Sequence, residues 1–134
     1  MIRGIGVDLV HIPRLARGLE RFPARYARRI LTERELEVFA SSRHPERYLA
    51  KRFAAKEAVA KAIGSGLRHP VTLRDIGVVN DELGRPVLEF SERLERHLRA
   101  LDIGQAMISL ADEHDYAIAY VVLFSRQWHE APDR

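Results

Sequence analysis

Arg52-Phe53-Ala54-Ala55-Lys56-Glu57-Ala58-Val59-Ala60-Lys61-Ala62-Ile63-Gly64 is the stretch on which the reading of this chain turns. On a helical wheel Lys56 falls between Phe53, Ala60 and Ile63. Glu57 falls beside Phe53 and Ala50, with Lys61 one turn further along, and alanines fill most of what remains. A helix this apolar and small around its whole girth is packed on several sides. Its charges do not all reach bulk water, and burying one unpaired is costly. An exposed Glu57–Lys61 ion pair, worth about 0.3–0.5 kcal/mol, accounts for one pair and leaves the alanines unexplained. A ligand that supplies charge accounts for more: Glu57 toward a cation, and Arg52, Lys56 and Lys61 toward phosphates.

Working outward, the pattern predicts one long helix over 45–63, closed by Gly64-Ser65-Gly66. Upstream, residues 2–10 alternate as a strand, with Ile5, Val7 and Leu9 on one side and Gly4, Gly6 and Asp8 on the other. Pro13 suits a first helical residue, Leu15, Leu19 and Phe22 give that helix its stripe, and Pro23 ends or bends it. A short helix follows over 24–30. Thr32-Glu33-Arg34-Glu35 is a capping box that starts a third, burying Leu36 and Phe39. Downstream, strands near 75–79 and 86–90 flank a turn. Ser91 caps a helix with Leu94, Leu98 and Leu101 on one face and Gly104 after its end, and strands near 106–111 and 116–124 finish the fold. The order predicts a single α+β domain over 1–126, with a mainly antiparallel sheet packed by the long central helix, and a polar tail at 127–134.

Composition narrows the class. The chain has 134 residues, 46% hydrophobic and 31% charged, and no cysteine, so neither disulfides nor thiolate metal sites arise. No apolar run approaches the length of a bilayer span, and the start lacks the apolar core of a secretory signal, so a cytoplasmic protein is expected. The net charge of +3 is uneven: residues 1–34 carry eight arginines against Asp8, Glu20 and Glu33. That skew favours an acidic partner. Of 22 basic residues only Lys51, Lys56 and Lys61 are lysine, all in the long helix, which hints at a need there for compact ammonium groups.

Asp8 completes a candidate site. By itself it also fits a strand-end residue bonded to a nearby amide. On a face cleared by Gly4 and Gly6, however, it has room beside it for a ligand or another backbone. Two carboxylates from separate elements, with ammonium groups near, are what a magnesium–diphosphate site requires. Glycine-flanked Ser65 lets backbone amides approach phosphate oxygens.

Gly4-Ile5-Gly6-Val7-Asp8-Leu9-Val10, followed by Ile12-Pro13-Arg14-Leu15, resembles the opening signature of the holo-acyl-carrier-protein synthases. The stretch from Arg52 to Gly66 resembles their second signature, and the likeness runs from Ile2 to about Phe124. The resemblance implies a small trimeric 4′-phosphopantetheinyl transferase with active sites at subunit interfaces. It puts Asp8 and Glu57 on the magnesium ligands and Lys61 on a phosphate-binding, catalytic lysine. Arg52, Gly64, Ser65 and Gly66 fall on coenzyme A contacts. Arg14 and Arg21 fall on the surface that docks acyl carrier protein, an acidic partner. Where many relatives carry histidines before the final strand, this chain has Met107 and Asp112, as in another branch of the family. His114, between two acids in a turn, gets no catalytic role.

The reaction implied is attack of a carrier-protein serine on the phosphorus of the phosphopantetheine arm, with 3′,5′-ADP leaving, as a step in fatty acid biosynthesis. Glu57 and a metal-bound water are both open as acceptor of the serine proton. Two other readings fit parts of the pattern. One is a nucleic-acid-binding module built on the basic N-terminal third with Phe22 and Tyr26 as stacking groups, against which stands the low net charge. The other is a silent relative that only binds coenzyme A or carrier protein. Nucleic acid and membrane are not expected partners.

Overall fold

Strand β1 (Ile2–His11) runs directly into helix α1 (Ile12–Arg21), with Pro13 in its first turn. The computed structural model describes residues 1–126; the tail expected at 127–134 lies outside the described residues. After α1 come α2 (Pro23–Ile30), α3 (Glu33–Ala40) and the long α4 (Pro45–Ile63). A short 3-10 turn at Leu73–Asp75 leads into β2 (Ile76–Asn80) and β3 (Pro86–Phe90). Helix α5 (Glu92–Ala100), β4 (Ile103–Glu113) and β5 (Tyr116–Ser125) complete the order.

The antiparallel sheet is split in two. β1, β5 and β4 form a three-stranded sheet with β5 central, and β2 pairs β3 in a separate hairpin. Helix α4 lies across the inner face of the larger sheet, against Val10 of β1 and Ala117, Ala119, Val121 and Leu123 of β5. Alanines at 54, 55, 58, 60 and 62 are all buried, which is the several-sided packing their pattern predicts.

Close approach needs β1 to have no side chains there. A Cβ on Gly4 would enter the Ala62 carbonyl oxygen, and one on Gly6 the Ala58 carbonyl oxygen. The space that Gly4 and Gly6 clear beside Asp8 is therefore filled by the backbone of α4.

Some local expectations are corrected. Phe22 is exposed, because α1 ends at Arg21 and the residue forms the corner into α2. Leu101 is exposed too, and Gly104 lies inside β4; the left-handed turn after α5 is made by Asp102 at φ 59.

The capping box of α3 also does more than start a helix. Thr32 and Glu35 exchange side-chain and backbone bonds, and the same Glu35 carboxylate is almost fully buried. Its Oε1 accepts from Lys56 Nζ at 2.6 Å, and its Oε2 accepts from the Val78 amide at 2.9 Å. Lys56, with 0% exposure, also donates to the Ile30 carbonyl at 2.6 Å. Burial holds the Lys56 ammonium below the ordinary lysine range, and Glu35 pulls it back up. One ion pair thus joins the end of α2, α3, α4 and β2. Glu35→Ala leaves Lys56 buried without its counter-charge and is expected to cost about 3–5 kcal/mol by urea denaturation. The double change Glu35→Leu with Lys56→Met is expected to recover most of that loss; a double variant as weak as the single one would show that the charges themselves hold the fold.

Candidate functional site

Glu57 and Lys61, four residues apart, share the edge of α4 that faces β1, where Asp8 sits. Lys61 Nζ lies 3.0 Å from Asp8 Oδ1 and donates to the Val7 carbonyl at 3.1 Å. The Asp8 side chain is 15% exposed and that of Lys61 54%, so the group is open to solvent on the lysine side. Burial first, and then the Asp8 carboxylate, push the Glu57 pKa up from the usual glutamate value, while Lys61 and Arg14 pull it back. The site is therefore two carboxylates that repel each other, flanked by two cations.

That donor set suits a hard divalent cation. Magnesium takes one or two carboxylates and completes its octahedron with water and phosphate oxygens. Among the described residues no cluster of three or more His, Cys, Asp and Glu gathers anywhere, so a closed protein cage for a metal is not formed. A pair of like charges raised in energy by their own proximity is what a cation between them would relieve.

The other expected residues divide. Lys56 is corrected: one residue before Glu57, it points about 100° away around the helix, into the Glu35 pair, and does not reach the carboxylates or solvent. Arg52 belongs to that same flank. Its guanidinium is stacked on the Tyr48 ring at 4.1 Å, and it and Arg74 act on Lys56. Buried Arg52 Nε has no hydrogen-bond partner among the described residues. Gly64 (φ 91) and Gly66 (φ 68) take left-handed conformations, but their amides close the helix by bonding to the Ala60 and Lys61 carbonyls. Those two amides are thus already bonded to helix carbonyls. The Ser65 hydroxyl donates to the Gly66 carbonyl at 2.9 Å, and the ground above both glycines is open.

Arg14 and Arg21 stand seven residues apart on the exposed face of α1. Arg21 lies over Phe22, 5.3 Å from the ring centroid, and Arg14 over Phe53 at 5.5 Å. Arg14 was read only as a docking residue; its charge also reaches Glu57. Sequence spacing gives no sign of this, since α1 and α4 meet only in the fold. Tyr26 packs on Gly18, and Phe22 and Tyr26 line one surface depression with Arg25 and Arg29. Asp112, at a family histidine position, ion-pairs with Arg47 at 3.0 Å and Lys51 at 3.3 Å and ties the β4–β5 hairpin to α4. All three lysines thus pair with a carboxylate from another element.

A sequence profile of the 4′-phosphopantetheinyl transferase superfamily matches residues 4–121, and the chain belongs to that superfamily. Its relatives include the holo-[acyl-carrier-protein] synthase of Nitrosospira multiformis, 48% identical over 92% of this chain and 98% of the relative. The synthase of Azoarcus is 47% identical over 94% of this chain and 100% of its own length. Among solved structures, the synthase from Neisseria meningitidis superposes with a TM-score of 0.90 at 43% identity, over 93% of this chain and 100% of that one. One from Bacillus anthracis, determined in complex with CoA (3′,5′-ADP), gives 0.77 at 35% identity over 93% and 98% of the two chains.

The raised Glu57 pKa makes a sign-specific prediction. With its folded value above the ordinary carboxylate value of about 4.3, Glu57 favours the metal-free fold when protonated, and that contribution is lost as pH rises through the folded value. Asp8→Asn removes one of the two causes, so Glu57 should titrate at lower pH in a carbon-13 carboxyl titration under chelator. An unmoved Glu57 would mean that the two carboxylates do not share a site.

Proposed function

We propose that this chain transfers the 4′-phosphopantetheine arm of coenzyme A to a serine of apo-acyl carrier protein, releasing 3′,5′-ADP, and so supplies holo-carrier protein for fatty acid synthesis. Membership of the superfamily and near-full-length similarity to named synthases support the reaction class. The observation that carries it is the convergence of Asp8, Glu57 and Lys61 from a strand and a helix on one solvent-open point.

Asp8 and Glu57 are the residues that would hold magnesium, which when bound offsets charge on the diphosphate as the leaving group departs. Lys61, on a flexible and mostly exposed stem, places an ammonium at the same diphosphate. Glu57, the carboxylate beside Arg14 of the docking helix, is one candidate to take the serine proton. The new bond joins the serine oxygen to phosphorus, and the bond from that phosphorus to the oxygen of 3′,5′-ADP breaks. The loop of Gly64, Ser65 and Gly66 gives coenzyme A a floor open above both glycines, with the Ser65 hydroxyl between them. Arg14 and Arg21 offer an acidic carrier a cationic face beside Glu57, which brings the docked serine to the carboxylates.

A homotrimer is part of the proposal. Ile5, Val7 and Leu9 of β1, Ile118 and Tyr120 of β5 and Met107 of β4 lie on the outer face of the larger sheet, all exposed, Leu9 by 61%. A contiguous apolar sheet face is an interaction surface rather than a solvated one.

Incubation with apo-carrier protein, coenzyme A and magnesium should add one phosphopantetheine to the carrier by mass spectrometry, and chelator should stop it. Glu57→Ala or Asp8→Ala should lower the rate by about 10²-fold or more; near-normal transfer by Glu57→Ala at limiting magnesium would overturn the ligand assignment. Val7→Glu should shift the light-scattering mass from trimer to monomer, and an unchanged mass would remove the sheet face from the interface.

A further inference from the structure

Lys61 stands where an arriving cation has to go. Its ammonium sits 3.0 Å from Asp8 Oδ1 and is held by the Val7 carbonyl, while Glu57 and Asp8 repel each other next to it. Asp8 therefore already has a counter-ion, and a divalent cation bound by Asp8 and Glu57 would share the space with a positive charge. Arg14 adds a second positive charge at Glu57. Magnesium alone meets competition at both ligands.

We propose that Lys61 is a movable counter-ion: it holds Asp8 in the empty enzyme and crosses to the diphosphate when coenzyme A brings the metal, so that metal binds well only together with coenzyme A. The inference rests on the metal and coenzyme A reading above and adds an order of binding to it. Its parts are on the same few residues. The lysine end of the pair is more than half exposed, so its ammonium has solvent to move through when it leaves Asp8. The lysine stem has four rotatable carbons and leaves α4 three residues before Gly64, where the ground is open. Its bond to Asp8 uses one carboxylate oxygen, leaving Oδ2 for a metal. An arginine at this position would bind both oxygens with its fork and would not release them as readily. That is a physical reason for lysine here in a chain with 19 arginines and three lysines.

The test is calorimetric titration of the assembled protein with magnesium chloride, with and without coenzyme A, on the parent, Lys61→Met and Asp8→Asn. In the parent, coenzyme A should tighten magnesium binding by about tenfold or more. Lys61→Met should bind magnesium alone about fivefold more tightly than the parent, because the competitor is gone. Its gain from coenzyme A should shrink. Lys61→Gln repeats the measurement, with melting curves to establish that each variant is folded. If both neutral variants bind magnesium alone no more tightly than the parent, Lys61 is not a competitor and the inference falls while the ligand assignment stands. If Asp8→Asn binds magnesium with coenzyme A as well as the parent does, the ligand assignment itself fails and takes the inference with it.

Discussion

Backbone meets backbone where β1 crosses α4, and the rest of the molecule is arranged around that contact. Gly4 and Gly6 have no Cβ because the carbonyl oxygens of Ala62 and Ala58 occupy the places where one would be. The facing residues of α4 are alanines, so the helix sinks onto the sheet to a depth that larger residues would forbid. At that depth the next inward-facing residue of β1, Asp8, comes level with Glu57 and Lys61. The site is a by-product of close packing: two elements pressed together carry their charged residues to the same rim.

Helix α4 then has to manage three lysines, two glutamates and two arginines on a largely buried scaffold. It does so by sorting them around its circumference. Lys56 is spent inward on Glu35, which has every oxygen occupied and links four elements. Lys51 and Arg47 are spent on Asp112 at the hairpin. Glu57 and Lys61 are left on the open edge. A buried pair fully supplied with hydrogen bonds fixes geometry, whereas an exposed ammonium–carboxylate contact is free to exchange partners. Stability and chemistry thus use the same residue types on one helix, divided by the flank from which each side chain leaves.

The larger sheet has the opposite problem on its far side. Its inner face is filled by α4, while its outer face presents Ile5, Leu9 and Tyr120 uncovered. In β1 the two glycines, the aspartate and Val10 turn inward while Ile5, Val7 and Leu9 turn outward, largely the reverse of a strand in an isolated domain. That inversion follows directly from the glycines: the side that must approach α4 gives up its side chains, and the apolar burial the strand needs has to be found elsewhere.

Much of this was legible in the residues themselves. The long helix from 45 to 63, the capping box at Thr32 and the α+β order follow from spacing and capping chemistry, which are properties of local sequence, whereas the roles given to Asp8, Glu57 and Lys61 rest on the family resemblance. Tertiary structure decided which partner each charge takes. Lys56 and Lys61 look alike on a helical wheel, yet one is sealed against Glu35 and the other lies open beside Asp8. It also decided that the Gly64 and Gly66 amides close a helix, and that Arg14 reaches Glu57. The reason is physical: local pattern sets which side of a helix a group occupies, but burial and counter-charge belong to whatever packs against that side, and those neighbours come from 20 to 55 residues away in the chain.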